Sequence, residues 1–454
     1  MTRTRPTAHP LLAALIAACA GLVACGPDTP TPRDAESTAP TPAPARDRTT
    51  PATQDPARPA APAPTEPGLP RPIPAGVTPA NLRAAASAAN QFAFDLFRRA
   101  APEGENAVLS PLNIRHALAL AWAGAAGQTQ ADMASVLHFS GAEHREHANL
   151  AGLVAQALTA EGDDAPEVAF ASRIWVQDSL SLADTYQPRL EAAYGTAFDT
   201  INFGNPGAAR GTINDWVSEQ TRARIPEVLP DGSISADTRL VLTSAVYLKA
   251  AWTAPFEKES TRPGPFTPAG ARAVQVPMMH QTVYRNHVVT DTHTAVELAY
   301  AGSNLAMLLV MPAGPLDAFE ADLDAPAWES IVESLDSAEV RLTMPKFEFE
   351  TTANVADPLK IMGMQVAFTE NADFSRMVSE EALMIGGVYH GAFLRVDEAG
   401  TEAAAATAIT MNVTSAPMEE PEPVVITLDK PFMLAIRDRE TGAILFLGRV
   451  VDPR

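Results

Sequence analysis

Hydrophobic residues recur at helical spacing in two segments of the first half of the chain. One segment covers residues 81–100 and the other covers residues 114–123. In the first, apolar positions fall three or four residues apart, at Leu82, Ala85, Ala89, Phe92 and Leu96. Because an α-helix completes a turn in about 3.6 residues, this spacing predicts a helix in each segment.

The second half of the chain alternates apolar and polar positions instead. Alternation places every second side chain on the same face of a β-strand. The apolar positions are Val340, Leu342 and Met344, then Phe347 and Phe349, and finally Phe432, Leu434 and Ile436. Since helices dominate early and strands dominate late, without a regular strand–helix repeat, residues 79–454 are predicted to form one α+β domain.

The N-terminus has the features of an export signal. Arg3 and Arg5 precede an apolar stretch, residues 11–24, that is too short to span a bilayer. A branched apolar residue and small residues stand just before Cys25, so the stretch resembles a bacterial lipoprotein signal. The resemblance implies removal of residues 1–24 and a lipid anchor on Cys25, at the outer membrane facing the periplasm or at the cell surface. The alternative is an ordinary signal peptide beside a cysteine that is there by chance.

The segment that follows the signal, residues 25–78, is rich in Pro, Ala and Thr and has almost no large apolar residue. Such a composition cannot offset the entropy lost when a backbone is ordered. We therefore expect a disordered tether between the anchor and the domain.

Charge and motif content exclude several classes of function. The chain has 33 basic and 54 acidic residues, a net charge of −21, so its surface would repel nucleic acid. Its two cysteines are too few for a disulfide scaffold or a cysteine-based metal cluster. No nucleophile elbow, Walker loop, dinucleotide-binding loop or metalloprotease helix is present. His144 and His147 are close in sequence, but no third ligand is spaced to join them. We expect no enzyme activity, no cofactor and no metal.

A connection of roughly 25 residues, 398–423, joins two predicted strands at residues 393–396 and 424–426. Residues 403–413 contain no glycine, proline or charge, unlike a flexible linker, and their β-branched side chains weaken a helical interpretation. As a strand, the segment places small or apolar side chains on one face, at Thr401, Ala403, Ala405, Thr407, Ile409 and Met411. The segment is exposed by its position, yet it has the composition of a sheet interior.

These features resemble the serpin family, in motifs that are collinear over about residues 82–454. The motifs lie at residues 106–114, 124–129, 213–217, 224–225, 240–252, 372–375, 400–403, 430–432 and 448–450. The resemblance implies the serpin fold, an α+β domain with a large central mixed β-sheet, helices packed around it, smaller sheets and an exposed reactive centre loop. Here the loop would comprise about residues 398–423.

The resemblance also implies a function and its residues. Serpins inhibit serine proteases, and some cysteine proteases, as suicide substrates: the cleaved loop, still joined to the protease, inserts as a new strand and leaves a covalent complex. The hinge of the loop would consist of Glu398, Gly400, Thr401, Glu402, Ala403, Ala404, Ala405 and Ala406. Counting from Glu398 places the cleaved bond between Thr414 and Ser415, with the bond between Val413 and Thr414 as the alternative. An uncharged β-branched residue there favours elastase-like or subtilisin-like targets over trypsin-like ones.

Beneath the sheet, serpins carry a polar cluster called the shutter, which aligns here with Ser110, Asn113, Ser244 and His390. Asn113 stands where serine is usual and Ser244 stands where asparagine is usual. Our hypothesis is that this exchange keeps an amide facing a hydroxyl. We expect a monomer whose partners are its target protease and its lipid anchor. The alternative function is a non-inhibitory serpin with a binding or storage role, which a hinge without proline or bulky side chains disfavours.

Overall fold

Both helices predicted from hydrophobic spacing are present in the structure, a computed structural model that describes residues 72–194, 198–402 and 421–454. They are α1 (Pro79–Ala100) and α2 (Pro111–Gly124). At the start of α1, the Thr78 hydroxyl accepts a hydrogen bond from the Asn81 N–H, and the Asn81 side chain accepts one from the Thr78 N–H. This capping box satisfies donors that the first helical turn leaves free.

The remaining elements follow in chain order. The helices are α3 (Gly127–Val136), α4 (Glu143–Ala157), α5 (Tyr186–Tyr194), α6 (Pro206–Gln220), α7 (Leu316–Asp322), α8 (Ala325–Glu333) and α9 (Ala356–Leu359), with short 3-10 or π turns at Lys258–Ser260, Lys360–Met364 and Gln365–Phe368. The strands are β1 (Ala107–Leu109), β2 (Glu167–Gln177), β3 (Phe198–Ile201), β4 (Leu240–Ala251), β5 (Arg262–Phe266), β6 (Val274–Val289), β7 (His293–Ala299), β8 (Leu305–Pro312), β9 (Asp336–Pro345), β10 (Phe347–Asn354), β11 (Gly387–Val396), β12 (Gly400–Thr401), β13 (Val424–Thr427), β14 (Phe432–Asp438) and β15 (Ile444–Val450). The strands predicted from sequence fall in β9, β10, β11, β13 and β14, so those predictions are confirmed.

The central sheet of the described residues has the strand order β10-β11-β12-β4-β2-β3. It is mixed, because β11 runs antiparallel to β10 but parallel to β4. Both faces of β4 are covered: Leu242 and Val246 pack into the main core, whereas Val241 and Ala245 pack with Ile213 of α6. A strand covered on both faces reads as a nearly continuous apolar run, as β4 does.

A second sheet joins β1-β15-β14-β8-β7-β6-β9-β13, and β5 pairs with β6. Helix α2 is buried on almost every side and contacts β2 and β4 of the central sheet as well as β15 of the second sheet. The α+β class and the large mixed central sheet are therefore confirmed. Within the described ranges, no helix is both long and apolar enough to cross a membrane.

Candidate functional site

The first residues of the predicted hinge lie inside the central sheet. Strand β12 sits between β11 and β4, at the end where both of those strands stop. Thr401 pairs with Val396 of β11 and with Ala250 of β4. Gly400 permits this close approach, since a Cβ there would lie 2.0 Å from the carbonyl oxygen of Ala250. The first part of the hinge, Gly400 and Thr401, is therefore already a short strand of the sheet.

The Thr401 side chain points into the protein core. It is 1% exposed, and its hydroxyl lies 2.6 Å from the hydroxyl of Tyr300. Tyr300 is buried in turn and stacks on the Trp252 ring, with 4.6 Å between the ring centroids. Burial raises the pKa of Tyr300, so its phenol keeps its proton and remains available to Thr401. The site thus accommodates a small side chain with a hydroxyl group. A charged side chain at this position would lose its hydration.

Glu398, at the start of the hinge, forms a partly buried ion pair with Lys346, whose own side chain is 35% exposed. Its carboxylate is 6% exposed and accepts hydrogen bonds from Lys346 Nζ and from the Thr261 hydroxyl, each 2.7 Å long. Burial acts to raise the pKa of Glu398, but the bonds to its ionised form outweigh burial and hold the pKa below its usual range. The backbone N–H groups of Trp252 and Phe256 donate to carbonyl oxygens of the same turn. The turn from β11 into the hinge is therefore held by side-chain and backbone contacts.

Glu402 lies on the sheet face opposite to Thr401. Its carboxylate forms an ion pair with Arg224, whose guanidinium lies 5.5 Å from the ring centre of Phe393. Arg224 belongs to the segment that follows α6. Glu402 has a φ of 49°, in the left-handed region that is costly for any residue other than glycine. The change of face from Thr401 to Glu402 agrees with the strand pattern of the sequence.

Beyond the hinge, β11 and β4 close directly against each other, with residues 387–392 paired in parallel to residues 241–246. Ser244 and His390 are partners in this register, and Ser244 Oγ lies 2.8 Å from His390 Nδ1. The Ser110 backbone N–H donates to His390 Nε2 at 2.9 Å. Burial lowers the pKa of His390 to about 3, so the ring is neutral at neutral pH. Since Nε2 accepts, Nδ1 carries the proton and donates it to Ser244.

The four predicted shutter residues are all buried, but two of them have partners that differ from our hypothesis. The Asn113 amide oxygen accepts from the Ser172 hydroxyl at 3.3 Å, and the amide nitrogen donates to the Ala245 carbonyl oxygen at 3.5 Å. Ser244 bonds to His390 instead, so the hydroxyl that faces Asn113 comes from β2. An amide therefore does face a hydroxyl at Asn113, but that hydroxyl belongs to Ser172 and not to Ser244, because the pairing of β2 with β4 brings Ser172 to this position.

Several predicted residues fall outside the described ranges. They are Ala403, Ala404, Ala405 and Ala406 of the hinge, Val413, Thr414 and Ser415 of the proposed cleavage site, and Cys25. Their roles stay predictions.

Sequence motifs alone do not reveal most of the side chains that hold the hinge. Lys346, Thr261 and Tyr300 carry no motif that marks them, whereas Arg224 and Trp252 stand in segments that the family resemblance included. His147 is buried, with Nδ1 2.6 Å from the Tyr194 hydroxyl. Over the part of the chain that the structure describes, no group of three His, Cys, Asp or Glu side chains could hold a metal ion.

Comparison with known proteins agrees with this architecture. Residues 87–453 match the family model described as Serpin (serine protease inhibitor). An uncharacterized serpin-like protein of Thermococcus kodakarensis is 39% identical over 372 residues, which cover 81% of this chain and 85% of that protein. A serine protease inhibitor of Cyanea capillata is 32% identical over 396 residues, covering 82% of this chain and 99% of its own length. The crystal structure of human thyroxine-binding globulin aligns with a TM-score of 0.74 at 28% identity, covering 82% of this chain and 99% of that one. The chain belongs to the serpin family.

Proposed function

We propose that this chain inhibits serine proteases, and some cysteine proteases, as a suicide substrate and is not itself an enzyme. The target's nucleophile would form an ester or thioester with the carbonyl of the cleaved residue, and the new amino terminus would leave. The freed loop would then insert into the central sheet before water hydrolyses that bond. The observation that carries the proposal is β12, because the hinge is already paired with both strands that insertion must separate.

The pairing of β12 defines where an inserted loop would lie. Thr401 lies opposite Ala250 of β4 and Val396 of β11, antiparallel to both strands. If both registers continue, Thr410 reaches residues 241 and 387, which are themselves the first paired positions of β4 and β11. The two registers therefore agree along the full length, and residues 402–410 would fill the gap without a bulge.

The same register would place Thr407 between Ser244 and His390. Insertion must separate these two side chains, whose Oγ and Nδ1 atoms are 2.8 Å apart. A buried donor left without a partner costs about 1–3 kcal/mol, but the threonine hydroxyl could accept from His390 and donate to Ser244. The inward positions 403, 405 and 409 would meet Leu248, Val246 and Leu242 in the core. Small or apolar residues at these positions suit that environment.

Insertion along this register would be strongly favourable. Each new backbone hydrogen bond adds about 1 kcal/mol net, and the residues 402–410 would form bonds on both sides. After the loss of the direct bonds between β11 and β4, the gain is on the order of 5–10 kcal/mol, comparable with the whole stability of a domain. The uncleaved protein would then persist because parting β11 from β4 is slow.

We infer that the target is elastase-like or subtilisin-like. The loop between residues 398 and 423 contains no Arg or Lys, which a trypsin-like pocket requires. Cleavage between Thr414 and Ser415, or between Val413 and Thr414, would present an uncharged β-branched side chain.

The test incubates the purified protein with elastase-like, subtilisin-like and trypsin-like proteases. The first two are expected to give a complex that survives a denaturing gel, together with a peptide that begins at Ser415. Loop-cleaved protein should melt at a clearly higher temperature than uncleaved protein. A protease with its nucleophile blocked serves as the control. Cleavage without a complex and without a rise in melting temperature would refute trapping and favour a binding role, which the likeness to thyroxine-binding globulin makes the second candidate.

We also propose that the mature chain is a monomeric lipoprotein, anchored through Cys25 at an outer membrane or at the cell surface. The support is the sequence around Cys25, described above. Cys25→Ser is expected to abolish labelling by a clickable fatty acid and to move the protein from the membrane fraction to the supernatant. Light scattering of the released protein measures its oligomeric state. Unchanged labelling in Cys25→Ser would exclude this anchor.

A further inference from the structure

A polar cavity of about 360 Å³ opens on the outer face of the central sheet, beside the hinge. Its charged lining consists of Arg222, Arg224, Lys249, Arg395, Asp397 and Glu402. Four cationic side chains thus face two carboxylates, although the whole chain has a net charge of −21. The volume is in the range of sites for small molecules, and the charge balance favours an anion.

The cations of this cavity differ in how well they are paired. Arg224 is paired with Glu402, and Arg222 is paired with Glu167. Arg395 Nε is 3.6 Å from a carboxylate oxygen of Glu348 and 3.6 Å from one of Asp397. Of the residues described, none offers Lys249 an acidic partner within ion-pair distance. The Lys249 ammonium is therefore available to a ligand.

Besides Lys249, the cavity has a second polar group without a partner, on Glu402. Its side chain is 10% exposed, and one carboxylate oxygen takes the Arg224 guanidinium. The other, Oε2, is buried and has no hydrogen-bond donor among the described residues. A buried carboxylate oxygen without a donor costs free energy, so the site favours a ligand that can donate a hydrogen bond there. That ligand must also carry oxygens that accept from Lys249.

We propose that this cavity binds inorganic phosphate as the hydrogen phosphate dianion. Its unprotonated oxygens accept from Lys249 and Arg222, and its single P–O–H donates to Glu402 Oε2. Sulfate has the same charge but no proton at neutral pH. It can therefore accept from Lys249 and Arg222 but cannot donate to Glu402 Oε2. Bound phosphate ties Glu402 to β4 and stabilises the hinge in its uncleaved position. The site does not rest on the proposed trapping of proteases, because binding is measured on uncleaved protein.

The test is calorimetric titration of the purified chain with sodium phosphate and with sodium sulfate, at neutral pH and equal ionic strength. We expect phosphate to bind about tenfold more tightly than sulfate, the ratio that one hydrogen bond to a charged acceptor supplies. Lys249→Gln is expected to weaken phosphate binding by about tenfold. Lys360→Gln, which removes the same charge outside the cavity, should leave binding unchanged. Glu402→Ala should abolish the preference for phosphate over sulfate.

Melting temperatures without ligand show whether each variant is folded, and Lys249→Arg, which keeps the charge, should restore binding if Lys249→Gln is unstable. Equal affinities of the parent protein for the two anions would overturn the assignment of the Glu402 acceptor. Phosphate binding that survives Lys249→Gln unchanged would overturn the site.

Discussion

Replacing Thr401 by arginine tests whether insertion proceeds through the buried hinge position. Thr401 is 1% exposed and its hydroxyl is hydrogen-bonded to that of Tyr300, and among the described residues no carboxylate is bonded to it that could receive a guanidinium. The effective cost of burying an unpaired ion is several kcal/mol. Because Thr401 is already buried in β12, the arginine is expected to push β12 out of the sheet before cleavage, so that insertion must then bury the unpaired guanidinium. About 1.4 kcal/mol corresponds to a factor of ten, so a penalty of ~4 kcal/mol slows insertion from that state about a thousandfold. Hydrolysis of the acyl-enzyme is untouched by the change, so we expect the protease to cleave the variant and escape.

The assay counts how many inhibitor molecules are consumed for each protease molecule that is trapped, using gel-stable complex as the readout. Thr401→Val is the matched control, since it keeps the size and apolar character of the side chain and loses only the bond to Tyr300, worth about 1 kcal/mol. The valine variant should therefore trap protease within a factor of ten of the parent. Unimpaired trapping by Thr401→Arg would refute insertion at this position. An equal defect in both variants would show that the hydroxyl matters and that burial does not.

Three further changes probe the surroundings of the hinge. Glu398→Gln leaves Lys346 without its buried anion and should lower the unfolding free energy, measured in urea, by about 1.5–3 kcal/mol. The control is Asp357→Asn, which breaks an exposed ion pair and should lower the unfolding free energy by under ~1 kcal/mol. Equal losses would contradict the structure. Folding depresses the pKa of His390 from 6.5 to about 3, so its contribution to stability is intact above pH 6.5 and declines as the pH falls toward 3. The difference in unfolding free energy between the parent and His390→Gln should therefore shrink by roughly 2–3 kcal/mol between neutral pH and about pH 4.5, and a difference independent of pH would count against it. Gly400→Ala places a methyl group against a carbonyl oxygen of β4 and should expel β12 from the sheet. Faster hydrogen exchange of the Thr401 amide would detect this loss of pairing, whereas unchanged protection would show that the strand tolerates a Cβ.

Local pattern was enough to predict much of the fold. The helical spacing of apolar residues that predicts α1 lies within that one segment. The alternation of apolar and polar residues that predicts β9 and β14 likewise lies within each strand. Alternation also predicted that Thr401 and Glu402 face opposite sides, although Glu402 lies just beyond β12 and reaches its side from a left-handed backbone conformation. These features depend on residues that are close together in the sequence, so the sequence alone predicts them.

The contacts that hold the hinge depend on tertiary structure instead. Lys346 is 52 residues from Glu398, and Tyr300 is 101 residues from Thr401. No spacing rule connects such positions, because the register of β4, β11 and the following turn brings them together. The exchange at Asn113 shows the same limit: the partner hydroxyl belongs to Ser172, which only the pairing of β2 with β4 places nearby.

If the loop inserts as we propose, the geometry of Glu402 indicates where the barrier would lie. To continue the strand, Glu402 must leave its left-handed conformation, which releases about 1–3 kcal/mol of backbone strain. It must also leave Arg224; the Glu402 side chain is 10% exposed and the Arg224 side chain is 41% exposed, so the pair is partly buried and is worth about 1–3 kcal/mol. The released strain therefore offsets the lost ion pair, and the contacts of Glu402 alone would not prevent insertion. The larger barrier would come at the next step, the separation of β4 from β11, because these strands are paired directly and Ser244 is bonded to His390. Under the proposed mechanism, the rate of insertion would accordingly be set at the shutter, and the contacts of the hinge would decide only from which position insertion begins.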